Sequence, residues 1–179
     1  MRTLISAVLI FIFLTSCHPI RFDEPQPRGK KVLLMYPEEL QGTWMSGDPD
    51  TLWITENAFY LGKDNEMFSM QDTLEERSHL RKKGDHYFLN IREEDGSWVV
   101  MVVKLRDDNT ISLFMSDLDT PDMERALSKY GKPSVVVDEA GQFDYYLISG
   151  AKRKAVLKMI SDGYFDEVTF RRSPDIPRD

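Results

Sequence analysis

Between Tyr87 and Met115 the chain has three short, apolar-rich runs of mostly two-residue period, separated by the turn-forming pairs Asp95-Gly96 and Asp108-Asn109. A period of two side chains fits a strand and not a helix, so this stretch is confined to an antiparallel sheet. Asp-Gly is a preferred pair for a tight two-residue hairpin, because both central positions need positive φ. Read that way, Asp95-Gly96 pairs Ile91 with Val100 and Leu89 with Val102, and Asp108-Asn109 brings Met115 opposite Val102 and Leu113 opposite Lys104. Leu89, Ile91, Val100, Val102, Leu113 and Met115 then share one face. The opposite face carries Phe88, Met101, Val103 and Phe114 among His86, Asn90 and Arg92. A sheet wetted on one side should alternate cleanly, so something is expected to cover part of this second face.

The same pattern flanks this stretch. Thr51 to Thr55 and Ala58 to Leu61 surround the turn Glu56-Asn57. That register sets Ile54 opposite Phe59, Leu52 opposite Leu61, and Trp53 opposite Tyr60 as an aromatic cross-strand pair. Val135 to Val137 and Phe143 to Ile148 form a later hairpin, and Glu167 to Arg171 a closing strand with Val168 and Phe170 pointing one way. Two helices are expected in the C-terminal half. Thr120-Pro121 opens one that runs to Tyr130, with Met123, Ala126, Leu127 and Tyr130 on one side. Ser149 caps the other, which runs to Ile160 with Ala155, Val156, Met159 and Ile160 as its apolar side and ends at Gly163. The fold class is therefore mainly β: an antiparallel meander closing into a barrel or a strongly curved sheet, with two late helices.

The first sixteen residues differ from the rest. Arg2 and the amino terminus are positive, Leu4 to Leu14 is almost unbroken apolar sequence, and Thr15 and Ser16 precede Cys17. A positive start, a short apolar stretch and small residues at a cleavage point read as a secretory signal over 1–16. The run is too short for the ~20 residues that cross hydrocarbon as a helix. Residues 17–31 hold three prolines and six charges and are expected to be an extended tether. Residues 32–172 form a single β-rich domain, and 173–179 a tail. Without Arg2 the 23 basic residues become 22 against 30 acidic ones. That balance argues against nucleic acid, whose phosphates need clustered cations.

Few residues point to chemistry. His79 and His86 lie seven apart without the i, i+4 spacing or cysteine partners of a zinc site. The acidic pairs Glu75-Glu76, Glu93-Glu94 and Asp107-Asp108 fall in or near turns, which such side chains favour through bonds to the backbone. There is no Gly-x-Ser-x-Gly elbow and no phosphate loop. Neither catalytic residues, metal nor cofactor are expected, and the chain is read as a non-enzyme. Two residues stand out on the apolar face: Tyr87 and Lys104 fall in one row with Leu113. A lysine there either lies at the rim and extends to water, or lines a cavity mouth with Tyr87 and orients an acidic ligand.

Two resemblances add to this reading. Leu14-Thr15-Ser16-Cys17 resembles a lipobox, which implies cleavage before Cys17, lipid attachment to its sulfur and anchoring in a membrane by acyl chains. Enteric lipoproteins retained at the inner membrane carry Asp after that cysteine; here it is His18, which implies the outer membrane. Leu40-Gln41-Gly42-Thr43-Trp44 at the head of a meander resembles the Gly-x-Trp element of lipocalin-like domains in bacterial lipoproteins. The likeness implies that Trp44 is a structural plug at one end of the barrel and not a ligand contact. The expected function is non-enzymatic binding of a small apolar or amphiphilic ligand. The alternative is a protein-interaction subunit of an envelope assembly, with Trp53 and Tyr60 as its patch. A cavity of a few hundred Å³ would favour the first, and a solid interior the second.

Overall fold

The computed structural model describes residues 20–47, 50–62, 70–75, 77–107, 109–116 and 122–173. Among them are thirteen strands and two short helices. The sheet is almost wholly antiparallel and curls through 281° as a half-barrel. Its curved wall runs β7 (Ser78–Lys83), β8 (His86–Arg92), β9 (Trp98–Asp107), β10 (Thr110–Met115), β13 (Asp166–Arg172), β3 (Gly42–Met45), β4 (Thr51–Ile54), β5 (Ala58–Gly62) and β6 (Met70–Thr73). The ends, β6 and β7, share no backbone ladder. Across that seam the Ser78 hydroxyl donates to the Asp72 carboxylate.

The first pair of strands after the Gly-x-Trp element follows the sequence residue by residue. Trp53 faces Tyr60, Leu52 faces Leu61 and Ile54 faces Phe59. The Asp95-Gly96 turn differs. Glu93 N–H bonds to Ser97 O, Gly96 N–H bonds to Glu93 O, and only Gly96 has positive φ, at 83°. This is a three-residue loop closed by a left-handed glycine, one residue longer than a two-residue turn. Leu89 therefore faces Met101 and Phe88 faces Val102. The next turn begins in the expected register, with Thr110 opposite Asp107, but a bulge after Thr110 sets Leu113 opposite Val103. Each change shifts pairing by one residue, which exchanges the two faces of a strand. The two shifts act on β9 alone. Leu89 and Leu113 keep a common face, but Met101 and Val103 join them in place of Val100 and Val102.

Two apolar clusters result, one on each side of this wall. The concave one gathers Trp44, Leu52, Ile54, Phe59, Leu80, Leu89, Met101, Val103, Ile111, Leu113 and Phe170. The convex one holds Phe88, Val100, Val102 and Phe114 beneath α1 (Met123–Leu127) and α2 (Ala155–Ser161). The second face expected to need a cover thus has one, over Val100 and Val102 in place of Met101 and Val103.

Both helices are shorter than their sequence pattern. The first spans five residues, preceded by Asp122 at φ 61° without a side-chain cap; Thr120 and Pro121 lie outside the described residues. Beyond Leu127 the backbone tightens, with Tyr130 N–H on Leu127 O. Ser149 does not cap the second helix. It is the last residue of β12 (Phe143–Ser149), paired with Lys132 of β11 (Lys132–Val137), and its backbone is taken by the ladder. Gly150, at φ 60°, turns the chain, and the helix starts at Ala155.

The expected tether is not one from Ile20 onward. Ile20–Phe22 is a strand, β1, set between β9 and β12, antiparallel to the first and parallel to the second. Ile20 and Phe22 are buried in the convex core. The count of charges and prolines hid a local alternation, Ile20-Arg21-Phe22, that buries every second residue. The proline-bearing stretch that follows lacks the donors for a ladder, so side chains hold it. Asn90 accepts from Gln26 N–H and donates to Gln26 O at 2.8 Å. Arg81 donates to Pro25 O at 2.7 Å and Pro27 O at 3.1 Å. Val32–Leu33, β2, then pairs with β7. At the other end Ser173 N–H still bonds to Thr43 O, so the sheet's bonding reaches the first residue assigned to the tail.

Asp95 ties the hairpin loop to β12. Its carboxylate accepts from Ser97 N–H at 2.8 Å, from the Ser97 hydroxyl at 2.6 Å and from the Tyr145 hydroxyl, with Arg21 at 3.3 Å. Burial works against the charged form, but the donors from Ser97 and Tyr145 outweigh it and hold the carboxyl at about 2, below its ordinary 3.8. A depressed folded value contributes stability above the unfolded value, lost as pH falls from about 4 to about 2. The side chain is 41% exposed, so the contribution is about 1 kcal/mol or less after solvent screening. Asp95→Asn should therefore flatten the fall in urea midpoint between about pH 5 and about pH 2. An unchanged slope in the variant would remove Asp95 from the acid response.

Candidate functional site

The concave face is the natural place for a ligand, and its walls come from nearly every strand of the half-barrel. Leu40, Leu52, Phe59, Leu80, Leu89, Met101 and Val103 line what space remains there, with Tyr36 and Tyr87. That space is about 20 Å³. It is enough for one water, but a water needs two to four polar partners. Amphiphile sites run to ~300 Å³ and more. The interior is packed.

Tyr87 stands where the sequence put it, on the concave face at its rim. Lys104 does not. Because β9 is shifted by one residue, Lys104 pairs with His86 and Ser112 on the convex face. Its ammonium lies 3.7 Å from Asp85, whose other oxygen meets His86 Nδ1 at 2.6 Å. Burial holds the His86 imidazole below its ordinary range, with Asp85 pulling it up and Lys104 pushing it down. The cation beside Tyr87 is Lys82, its cross-strand neighbour. Lys82 Nζ sits 4.5 Å from the Tyr87 ring centre and 3.4 Å from Glu39, which accepts the Tyr87 hydroxyl at 2.5 Å. Sequence reasoning missed Glu39 and did not place Lys82 beside Tyr87. The Tyr87–Lys82 pairing was open to it once β7 was recognised, whereas Glu39 reaches the rim from the turn before β3. With its hydroxyl committed to Glu39, Tyr87 closes the rim.

Tyr36 carries the one unspent polar group among the described residues of this interior. It is 3% exposed, and its hydroxyl has no hydrogen-bond partner among the described residues. Burial, then the Asp72 carboxylate, push its ionisation far above the ordinary tyrosine range, so it stays a neutral donor. A buried donor without an acceptor costs roughly 1–3 kcal/mol.

Trp44 is fully buried in the concave core and does not border the remaining space. Its indole N–H donates to Leu40 O at 2.8 Å, and the Arg172 guanidinium lies 4.2 Å from its ring centre. Arg172 also donates to Gln41 O at 2.6 Å and Glu39 O at 2.8 Å. Gly42, at φ 127°, admits this approach; a Cβ there would lie 2.9 Å from the guanidinium. Trp53 and Tyr60 meet at 4.7 Å between ring centres, and both are half-buried rather than fully exposed. Cys17 and His18 lie outside the described residues. No group of three or more metal-binding side chains occurs among the described residues, and none of their helices is long and apolar enough to cross a membrane.

No family model, curated protein or solved structure matches this chain.

Exposed apolar side chains gather elsewhere. β11 ends the sheet and pairs on one side only. Val135 and Val137 on it are 45% and 53% exposed.

Proposed function

We propose that the chain is a lipid-anchored, non-enzymatic lipoprotein of a bacterial envelope that takes up a strand of a partner protein along the free edge of β11. The observation that carries this is a contrast between interior and edge. The concave face keeps only about 20 Å³, whereas β11 exposes Val135 and Val137 beside an unpaired row of backbone groups. Strand addition draws affinity from main-chain hydrogen bonds and specificity from alternate side chains. Lys132 and Pro133 blunt one end of the edge, as natural edges are blunted. A partner segment therefore aligns over residues 134–137, and it is extended, β-branched and low in charge. The lipobox resemblance at Leu14–Cys17 supports the anchor, and His18 supports the outer membrane.

A second reading rests on Tyr36. A small apolar or amphiphilic ligand with one acceptor atom would relieve its orphaned hydroxyl, provided concave side chains move aside. The resemblance of Leu40–Trp44 to lipocalin-like domains supports this version.

One experiment separates the two. A photo-crosslinking residue placed at 135 or 137 in cells of the native host is expected to give one discrete protein adduct. The same residue at Arg125, on exposed helix surface, gives none, and Val135→Lys abolishes the adduct formed from 137. Native mass spectrometry of the protein in mild detergent runs alongside. Absence of any adduct, with a small copurifying mass that is lost in Tyr36→Phe, would overturn the strand-addition reading in favour of the ligand.

A further inference from the structure

The chain is acidic overall, with a net charge of −7, yet the fold gathers cations from three distant segments into one place. The β1–β12 pairing brings the residues after Phe22 beside Gly150, whose N–H bonds to Asp23 at 2.9 Å. The β2–β7 pairing brings the chain around Lys30 beside Lys83. Between these segments lies an open cleft of about 520 Å³, lined by Arg28, Gly29, Gly150, Ala151, Lys152 and Arg153. Lys83 borders it, its ammonium 3.4 Å from Arg153 O.

The nearby acids are already used. Glu24 is held by Arg28, at 2.8 and 2.9 Å, and Asp23 by Gly150. Lys30, Lys83, Lys152, Arg153 and Lys154 have no carboxylate partner among the described residues; Lys152 donates instead to Lys129 O at 2.6 Å. Burial, then Lys154, Arg153 and Lys30, make the Lys83 ammonium a stronger acid than usual. The charges acting on it are all of its own sign. Gly29 and Gly150, with open space where a Cβ would stand, leave the cleft floor accessible. Lys152 and Arg153 line the cleft, and Lys30, Lys83 and Lys154 lie close by; like charges so gathered repel one another, and an anion placed among them is attracted. Arg153 offers a planar fork matched to phosphate oxygens, and the lysines add point charges.

We propose that this cleft docks onto the phosphate groups of anionic lipid headgroups, so that the domain lies against the membrane with its basic face down. The proposal rests on the lipid-anchor reading for its choice of source: a chain tethered at a bilayer meets headgroup phosphate before any other. Each basic side chain near an anionic surface raises partition by about fivefold.

The test uses the chain from His18 onward, which keeps every described residue, both cores included, and lacks Cys17. It is mixed with vesicles of phosphatidylcholine alone or of phosphatidylcholine with phosphatidylglycerol, and bound protein is measured by flotation. Binding is expected only to the anionic vesicles and weakens as salt is raised. Arg153→Gln with Lys154→Gln should lower partition by roughly thirtyfold, whereas Arg125→Gln leaves it unchanged. Thermal melts check that each variant is folded. Equal binding to both vesicle types, or no loss in the double variant, overturns the proposal. Binding of inorganic phosphate, read by amide shifts at Gly29 and Gly150, without vesicle binding also overturns it and assigns the cleft to a free anion. Lipidation is read separately, from the mass of residue 17 in protein from the native host. A bare thiol there overturns the anchor reading and leaves the vesicle result standing, so the two failures are distinguishable.

Discussion

Phe22→Ala is expected to destabilise the domain by roughly 3–5 kcal/mol, the range for truncating a buried aromatic side chain. Phe22 is completely buried. Its strand lies between Trp98 of β9 and Ile148 of β12, so the ring fills the joint between the half-barrel and the β11–β12 hairpin. No residue nearby can collapse into the space, since the backbone on both sides is fixed by ladders. The measurement is the urea midpoint of the chain from His18 onward, at constant m-value. A loss below about 1 kcal/mol would mean that this segment contributes no more than a surface position does, and residues 20–22 would return to being a tether. Such a result would also release the folded part from the start of the chain. As it stands, only His18 and Pro19 separate Cys17 from β1, a reach of ~11 Å at full extension. A lipid on Cys17 would therefore hold the domain close to the bilayer surface, where the basic cleft can act.

Trp44→Ala is expected to cost a similar ~3–5 kcal/mol by the same mechanism, with a further consequence at the chain's C-terminal strand. The indole fills the concave core, its N–H satisfies Leu40 O, and its face carries the Arg172 guanidinium. Removing it leaves a carbonyl without its donor and a guanidinium above a void. Trp44→Phe keeps much of the volume and loses the hydrogen bond, for which ~1 kcal/mol is the usual net cost. The ratio between the two variants, taken from denaturant midpoints, tests whether volume or hydrogen bonding dominates. If Trp44→Ala and Trp44→Phe cost the same, the ring is not packed as described, and its role as a filler of the concave core falls. A binding assay on either variant should show no selective loss, because Trp44 does not border the interior space.

How much of this was legible from the residues varies along the chain for identifiable reasons. The β4–β5 hairpin was fully legible: both strands alternate, Glu56-Asn57 is a two-residue turn, and nothing distant alters the register. The existence of β8, β9 and β10 was equally plain, but the side of β9 that faces inward was not. Asp95-Gly96 suits both a two-residue and a three-residue loop, and the choice lies partly with Asp95, whose carboxylate is recruited by Tyr145 from fifty residues away. The bulge after Thr110 is likewise a matter of sheet curvature. Those two slips carried Lys104 to the convex face and left Lys82 as the cation beside Tyr87. Glu39, Tyr36 and the meeting of three basic segments in one cleft were hidden because these residues come from separate parts of the chain.

By itself the sequence determined that the chain is mainly β, where most of its strands lie, and that the second face of the central strands needed a cover. These are local properties: alternation, turn residues and burial preference act over a few residues and survive any particular arrangement. Only the tertiary structure decided which side of β9 faces inward, that Ile20–Phe22 belongs to the sheet, and that the interior is packed while cations from three segments share a cleft. A one-residue shift in register costs little locally but reverses every side chain of a strand, and such shifts are fixed by contacts between residues far apart in the chain.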